Sequence, residues 1–570
     1  MFNKIKRTFR GNPYEKRIND IDPDEIFLDS ENLPNFDVNQ FEGRIEKPIT
    51  TNTFVAFGVM CFFVFIIFFL RSYNLQVTKG AYYLDKSENN RLKHTLVFAK
   101  RGTILDRNGD KLAWNVSSDT NPEFAYRSYS DLSGLSHVLG YVKYPSKDSS
   151  GFYYSQDFVG KDGVEKFYSN IMSGSNGLRI VEVDAVGKVQ SESVTRLPVD
   201  GQNLKLSIDL KLQNKIYNVI ADLAQRVGFT GGAGVMMDVN TGEIIALTSY
   251  PEYDSQILTD GKNKTVISQL LANKNNPFLD RVIDGLYAPG SIVKPYMSIA
   301  ALSEKIIDPN TKILSTGSIS IPNIYDPSKP SVFKDWRAQG WVDMRHAIAV
   351  SSDVYFYEVG GGYENQKGLG ISLIDKYMSM FGFGQNMPEG FFNGKTGVIP
   401  DPEWKAKNFD GEKWNIGDTY HTSIGQYGFQ VSPIQAVRAV TSIANNGKLL
   451  EPSILFGGNP DKFTQLNLNP DYFKIVREGM KLGVEEGVAT GLNTGYLTLG
   501  AKTGTAELGS KKQFVNSWVT GFFPYNNPKY AFAIIMEKGP VTNTTGGVYV
   551  MRQVLDWMYI YKPEYLNLKK

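Results

Sequence analysis

Cysteine is nearly missing from this chain: among 570 residues only Cys61 is present, and it lies inside an apolar run. One thiol excludes intrachain disulfides and cysteine metal clusters. Histidine is almost as scarce. His94, His137, His346 and His421 are scattered, so no His-x-x-x-His or similar ligand spacing exists. The four read as structural or surface residues, and neither a metal nor a cofactor is called for. An excess of one charge is also lacking, with 61 basic against 59 acidic residues and a formal net charge of +2. No strong field points to nucleic acid or to anionic lipid, which argues against a nucleic-acid partner.

What is present is length and one long apolar run. The chain is too long for a single core, and its length suggests roughly three to four domain-sized units. Residues 1–48 are polar and mixed in charge, interrupted by Asp22-Pro23-Asp24-Glu25 and Asn32-Leu33-Pro34-Asn35, and read as a loosely tethered tail. Residues 49–71 follow, uncharged from Ile49 to Leu70 and rich in phenylalanine. That is close to the ~20 residues a membrane-spanning helix needs. The long polar segment before it, and the lack of a small-x-small cleavage pattern after it, favour an uncleaved anchor over a signal peptide. Arg44 and Lys47 on one side balance Arg71 and Lys79 on the other, so the positive-inside count leaves the orientation open.

Residues 72–208 read as a β-rich spacer. Arg91 to Asn115 contains strand-like alternation, with Asn108-Gly109 as a tight hairpin turn. Gly160-Lys161-Asp162-Gly163-Val164-Glu165 and Glu182-Val183-Asp184-Ala185-Val186-Gly187 read as further glycine-bearing turns. Nothing nucleophilic pairs with a base here. Arg101, Asp106, Arg107 and Glu165 are expected to form structural ion pairs, since buried charges usually pair.

From Asp209 the period becomes helical, with Leu212, Ile216, Val219, Ile220 and Leu223 on one face. Two hairpins are predicted in residues 209–570. One has Gly234–Asp238 and Glu243–Leu247 around Asn240-Thr241-Gly242; the other has Ser517–Phe522 and Tyr530–Ile535 around Asn526-Asn527-Pro528. Strands from both ends of the segment can join one antiparallel sheet. Helices fill the interval, and Val548 to Tyr561 reads as a closing helix, so an α/β domain with a helix-covered sheet is expected.

Within it, Ala288-Pro289-Gly290-Ser291-Ile292-Val293-Lys294 sets a hydroxyl and an amine three residues apart at a helix start. Pro289-Gly290 breaks what precedes, and Ile292, Val293, Tyr296, Met297, Ile299, Ala300, Ala301 and Leu302 supply an apolar face. Residues i and i+3 share a helix face, so Lys294 can reach Ser291, and the helix end favours an oxyanion beside it. Lysine acts as a base there only if its surroundings keep it neutral. A lone Ser-x-x-Lys is weak: Ser331-Val332-Phe333-Lys334 matches equally, but it follows Pro327 and Pro330 and reads as a loop.

Two further motifs raise the specificity. Ser351-Ser352-Asp353 is a polar triplet in an apolar, helix-like context. Ala501-Lys502-Thr503-Gly504-Thr505-Ala506 follows strand-like Tyr496-Leu497-Thr498-Leu499. Gly504 in an edge strand would admit close backbone approach by a ligand. Lys502 offers a carboxylate a cation, Thr503 a hydroxyl, and the Thr505 N–H is a candidate to join the Ser291 N–H in an oxyanion hole. A decoy, Lys395-Thr396-Gly397, sits between Asn393-Gly394 and Ile399-Pro400-Asp401-Pro402 and reads as a loop. The ordered set of three motifs, each in fitting context, is far more specific than any member.

With these residues the chain resembles the class B penicillin-binding proteins from the anchor to the end. The likeness rests on Arg101-Gly102-Thr103-Ile104-Leu105-Asp106-Arg107-Asn108-Gly109, Tyr287-Ala288-Pro289-Gly290-Ser291, Ser351-Ser352-Asp353 and Lys502-Thr503-Gly504-Thr505. Within the class it is similar to the elongation subtype, penicillin-binding protein 2. The signs are Asp353 where most relatives carry Asn, Leu369-Gly370-Ile371, Phe381-Gly382-Phe383-Gly384, Pro402-Glu403-Trp404-Lys405 and Ser423-Ile424-Gly425-Gln426.

The resemblance implies a cytoplasmic tail, one pass through the bacterial cell membrane, a pedestal of the dimerisation type and an extracytoplasmic transpeptidase domain. That domain would be serine β-lactamase-like, with a five-stranded antiparallel sheet covered by helices. It implies a peptidoglycan D,D-transpeptidase in which Ser291, deprotonated by Lys294, attacks the penultimate D-Ala of a stem peptide and expels D-Ala. Ser351 would relay protons, Asp353 would fix substrate and Lys294, and Lys502 with Thr503 would hold the donor carboxylate. β-Lactams would acylate the same serine. A RodA-type membrane glycosyltransferase and an MreC-type scaffold are the implied partners. The rival readings are a β-lactamase or D,D-carboxypeptidase, and a non-catalytic β-lactam sensor or scaffold.

Overall fold

The computed structural model describes residues 51–84, 92–117, 123–149, 153–183, 189–323, 326, 328–509 and 511–568. The 1–48 tail, residues 49 and 50 of the expected span, residues 184–187 of one expected turn and Pro327 lie outside the described residues. The chain forms two compact units, divided between Arg91 and Leu92.

In the first unit, α1 (Thr51–Tyr73) continues as a π-helical turn, Asn74–Thr78. Helix therefore runs past the expected end at residue 71. Phe54, Phe57, Phe62, Phe63, Phe65, Ile67, Phe68, Phe69 and Leu70 are all exposed. An apolar helix, whose backbone groups bond along its own axis, suits a hydrocarbon environment.

The second unit opens with strands β1 (Leu92–Val97), β2 (Ile104–Leu105), β3 (Lys111–Val116), β4 (Tyr126–Tyr129), β5 (Gly177–Val183), β6 (Val189–Arg196) and β7 (Leu204–Lys205). They build two sheets, ordered β1-β5-β6 and β7-β2-β3-β4. The β2–β3 pair turns at Asn108-Gly109, as the dipeptide predicts. The expected turn at Gly160–Glu165 is in part a short helix, Gly163–Phe167, which carries Glu165 into the interior. There Glu165 meets Arg101 Nε at 2.5 Å and Arg127 Nε at 2.7 Å, all three residues buried. Arg107 pairs with Glu243 at 3.2 Å. Asp106 differs from the expectation: its carboxylate accepts the backbone N–H groups of Asn108, Asp110 and Leu210, so it holds a turn rather than an ion pair.

Helix α2 (Leu210–Val227) is capped by Asp209, which accepts from Lys211 N and Leu212 N. Strands β8 (Gly231–Asp238) and β9 (Ile244–Tyr250) form the first expected hairpin. The chain then leaves the sheet through α3 (Lys294–Ser303), a hairpin of β10 (Ser318–Ile321) and β11 (Ser331–Lys334), α4 (Met344–Val350), α5 (Asp353–Gly361), α6 (Pro433–Ala444) and α7 (Pro470–Glu485). It returns as β12 (Gly500–Leu508), β13 (Phe514–Phe523) and β14 (Tyr530–Pro540), and closes with α8 (Gly547–Tyr561). The sheet order is β9-β8-β14-β13-β12, antiparallel throughout, so β12 is an edge. Tyr496 to Leu499, expected as strand, precede it as turn and irregular chain.

Strand alternation splits the core in two. Ala233, Val235, Met237, Trp518, Phe522, Ala533 and Ile535 face one way, into a cluster with α3, α5 and α6. Met236, Val519, Phe523, Phe532, Ile534 and Met536 face the other, against Ile216 and Ile220 of α2 and Val550 and Val554 of α8. Two-sided burial explains why these strands read as continuous apolar runs. In α3 the expected apolar face becomes a whole buried surface, since every residue from Lys294 to Leu302 is enclosed. A helix surrounded on all sides is the rigid axle on which the site is hung.

Candidate active site

Three segments far apart in sequence converge beside α3. The first is the turn that carries Ser291. Gly290–Val293 is a 3₁₀ turn that runs directly into α3 at Lys294. In a 3₁₀ turn residues i and i+3 eclipse, which brings Ser291 and Lys294 onto one line more closely than the expected α-helical start would. The turn is pinned where it begins. Trp518 Nε1 donates to Ala288 O at 3.0 Å, and Gly290 N donates to Gly425 O at 2.9 Å.

The second segment is the junction of α4 and α5. Ser351 adopts left-handed backbone, φ +60°, uncommon for a residue other than glycine. It ends α4, while Ser352 caps α5 by accepting from Tyr355 N. The third segment is β12, whose Lys502 is buried.

Side chains from the three segments meet at Ser351. Lys294 Nζ, 0% exposed, donates to Ser351 O at 2.8 Å, to Ser351 Oγ at 3.3 Å and to Asp353 Oδ1 at 2.6 Å. Lys502 Nζ donates to the same Ser351 Oγ at 2.8 Å and to Thr503 O at 2.8 Å. One hydroxyl thus bridges two buried amines. Burial, then the Lys294 charge, hold Lys502 well below the usual lysine range, with Asp353 acting in the opposite sense. Two adjacent cations out of water are costly, and among the described residues only Lys294 of the two has a carboxylate partner, Asp353.

The remaining members of the Lys-Thr-Gly-Thr motif line the sheet edge. Thr503 is half-buried and Thr505 exposed. Gln426 Nε2 reaches Thr505 O at 3.5 Å. Strand geometry projects the Thr505 N–H to the same free side as its carbonyl, towards the Ser291 turn. Gly504 has a different role from the one its position suggests. A Cβ there would meet Pro289 O at 2.6 Å and Ile292 Cγ2 at 2.9 Å, so the close neighbour is the Ser291 turn itself rather than a ligand.

The two decoys take other backbone forms. Lys395-Thr396-Gly397 is irregular chain. Ser331–Lys334 is not the expected loop but strand β11, paired with β10. The reason it fails as a site is strand geometry: residues i and i+3 point to opposite faces. Sequence reasoning missed Asp335 and Trp336, which follow that strand and hold the α4–α5 junction from behind. No motif or spacing in the sequence links them to Ser351.

An eclipsed serine and lysine at a buried helix start, a second serine bridging two amines, and a lysine-bearing sheet edge define a serine acyl-transfer site on an α/β scaffold. The family model described as the penicillin binding protein transpeptidase domain matches residues 232–555, and the penicillin-binding protein dimerisation domain matches residues 123–206. The chain belongs to the penicillin-binding protein transpeptidases. Within that family it is 29% identical to the peptidoglycan D,D-transpeptidase MrdA of Salmonella typhimurium, over 90% of this chain and 96% of the relative. Penicillin-binding protein 2 of Pseudomonas aeruginosa, solved in complex with WCK 5153, superposes with a TM-score of 0.65 at 29% identity, covering 82% of this chain and 97% of that one. The corresponding protein of Helicobacter pylori, solved in complex with MreC, gives a TM-score of 0.66 at 27% identity, covering 84% and 100%.

Proposed function

We propose that this chain is a peptidoglycan D,D-transpeptidase that cross-links stem peptides during cell-wall elongation through an acyl-enzyme on Ser291. The observation that carries the reading is the Ser351 hydroxyl bridging Lys294 and Lys502, next to the Ser291 turn. The geometry supports a proton route. Lys294 passes its proton through Ser351 to Lys502, whose affinity for it rises when a substrate carboxylate arrives beside Lys502 and Thr503. Lys294, now neutral, accepts the Ser291 proton as Oγ attacks the penultimate D-Ala carbonyl. The Ser291 and Thr505 N–H groups receive the oxyanion. The C–N bond then breaks, Ser351 delivers a proton to the leaving D-Ala amine, and an acceptor amine later displaces Ser291 from the ester. Asp353 holds Lys294 in place and offers its outer oxygen to substrate.

The same reading divides the chain into a tail at 1–48, an anchor at 49–71, a pedestal at 72–208 and the transpeptidase domain at 209–570. The anchor makes a single pass of the bacterial cell membrane, with the N-terminus cytoplasmic and both later domains outside. The complex of the Helicobacter pylori relative supports an MreC-type scaffold as a partner, and strand polymerisation falls to a RodA-type membrane glycosyltransferase.

The test is intact-mass measurement of the detergent-solubilised full chain with a penicillin, over time, beside Ser291→Ala. A persistent adduct in the unmutated protein alone is expected. An adduct on both proteins would remove Ser291 from its role. Rapid loss of the adduct would point to a β-lactamase, and its absence from the unmutated chain would favour a scaffold.

A further inference from the structure

Asp335 lies behind the α4–α5 junction and is only 9% exposed. Its carboxylate is held by hydrogen-bond donors, and the ion pairs among the described residues include none to it. Oδ2 accepts from Ser352 Oγ at 2.9 Å, Val354 N at 3.1 Å and Ser315 Oγ at 3.1 Å, while Oδ1 accepts from Trp336 N at 2.8 Å. A buried carboxylate satisfied in this way is stable only while those donors stay in place.

The placement of the donors along the chain gives the arrangement its meaning. Ser351 and Asp353 project towards Lys294 and Lys502, and the residues that alternate with them, Ser352 and Val354, are the two that Asp335 grips from the opposite side. The next residue continues the clamp, since Trp336 Nε1 donates to Val350 O at 3.2 Å, just before the left-handed Ser351. A non-glycine residue in that backbone conformation persists only where its surroundings over-determine it. Here the two halves of the clamp fall immediately before and after the kink. The start of α5 also favours a negative charge at its N–H groups, which Asp335 supplies through Val354 N.

We infer that Asp335 is a positioning residue of the acyl-transfer reaction: it aligns the Ser351 hydroxyl and the Asp353 carboxylate with Lys294 and Lys502 without itself touching substrate. The inference rests on the acyl-enzyme reading above. Its consequence is specific to one step. Losing the grip leaves the outer, substrate-recognising edge of β12 intact but displaces the proton-handling groups, so acylation slows while initial binding of the β-lactam is preserved.

The test measures acylation of the detergent-solubilised full chain by a chromogenic β-lactam across concentrations. It separates the first-order acylation rate at saturation from the concentration giving half that rate. Asp335→Asn keeps the shape but presents an amide where three donors converge. Its saturating rate is expected to fall on the order of 10²-fold, the loss that follows a misplacement of about 1 Å, with the half-saturating concentration changed less than threefold. Ser315→Ala removes a donor that comes from outside the α4–α5 junction; its melting temperature should drop while both kinetic constants hold. If Asp335→Asn fails to fold, Trp336→Phe, which deletes the indole N–H bond to Val350 O and keeps an aromatic ring for Arg337, should show the same fall in rate at smaller size. Unchanged acylation in folded Asp335→Asn, or a loss confined to half-saturation, overturns the inference. A normal wild-type adduct in the same series keeps the acyl-enzyme reading standing whichever way Asp335 behaves.

Discussion

Lys502 Nζ donates to Ser351 Oγ at 2.8 Å across 151 positions of sequence, and this bond joins the sheet edge to the helical half of the site. Because Lys294 donates to the same oxygen, the two amines and the hydroxyl act as one unit. Ser351→Ala should slow acylation of Ser291 by roughly 10²–10⁴-fold, the range for a lost acid–base group. Combining it with Lys502→Ala should cost far less than the product of the two separate losses. Stopped-flow acylation of the three variants checks this, and simple multiplication of the effects would separate the two residues.

Gly504→Ala places a methyl 2.6 Å from Pro289 O. Either β12 or the Ser291 turn must retreat, so a stability loss of about 1–3 kcal/mol is expected, together with a fall in acylation on the order of 10²-fold from misplacement of the nucleophile. Gly495→Ala, where an added Cβ meets nothing within 4 Å, is the control and should leave both unchanged. Unfolding curves and acylation rates for the pair decide it. Equal behaviour of the two variants would mean that the contact carries no strain.

In the region before α2, Glu165 is the shared partner of two buried guanidiniums, Arg101 and Arg127. Glu165→Ala should destabilise this region by about 3–5 kcal/mol, because it leaves uncompensated buried charge rather than merely removing an attraction. Limited proteolysis should cut residues 92–208 faster, with Ser291 still acylated in the surviving transpeptidase portion. Unaltered proteolysis would show that the two arginines find other partners.

Glu252 accepts N–H groups from Gly134 and Ser136, yet burial raises its carboxyl to about 7 from an ordinary 4.5. Between those values the native state holds the proton and the unfolded state does not. Stability from this group is therefore full at low pH and declines as pH rises from about 4.5 to about 7, with no further slope above. Glu252→Gln removes that slope. The melting temperature of the variant relative to the parent should increase from pH 5 to pH 8, and a constant difference would place the titration elsewhere.

Much of this molecule was legible from near-neighbour chemistry. Asn108-Gly109 specifies its turn and the apolar periodicity of Leu212 to Leu223 a helix, because turns and amphipathic faces depend on residues within a few positions. The three motifs were readable for a similar reason: each is a short run whose residue types suit one reaction. Local signals also misled. Ser331–Lys334 reads as a loop behind prolines but is completed as a strand by β10, a partner brought by the fold, and Glu165 reads as part of a turn although the interior draws it into a helix.

Only the tertiary structure decided how those local pieces meet. It made the Ser291 turn 3₁₀ rather than α, forced Ser351 into left-handed backbone, and turned Gly504 from an expected ligand contact into the seat of the Ser291 turn. It also brought Asp335 against Ser352 and Val354, where no spacing along the chain could have announced it. The physical reason is range. Caps and periodicity act over a few residues, whereas a hydroxyl shared by Lys294 and Lys502 exists only once α3, α5 and the edge of a five-stranded sheet have packed around one another.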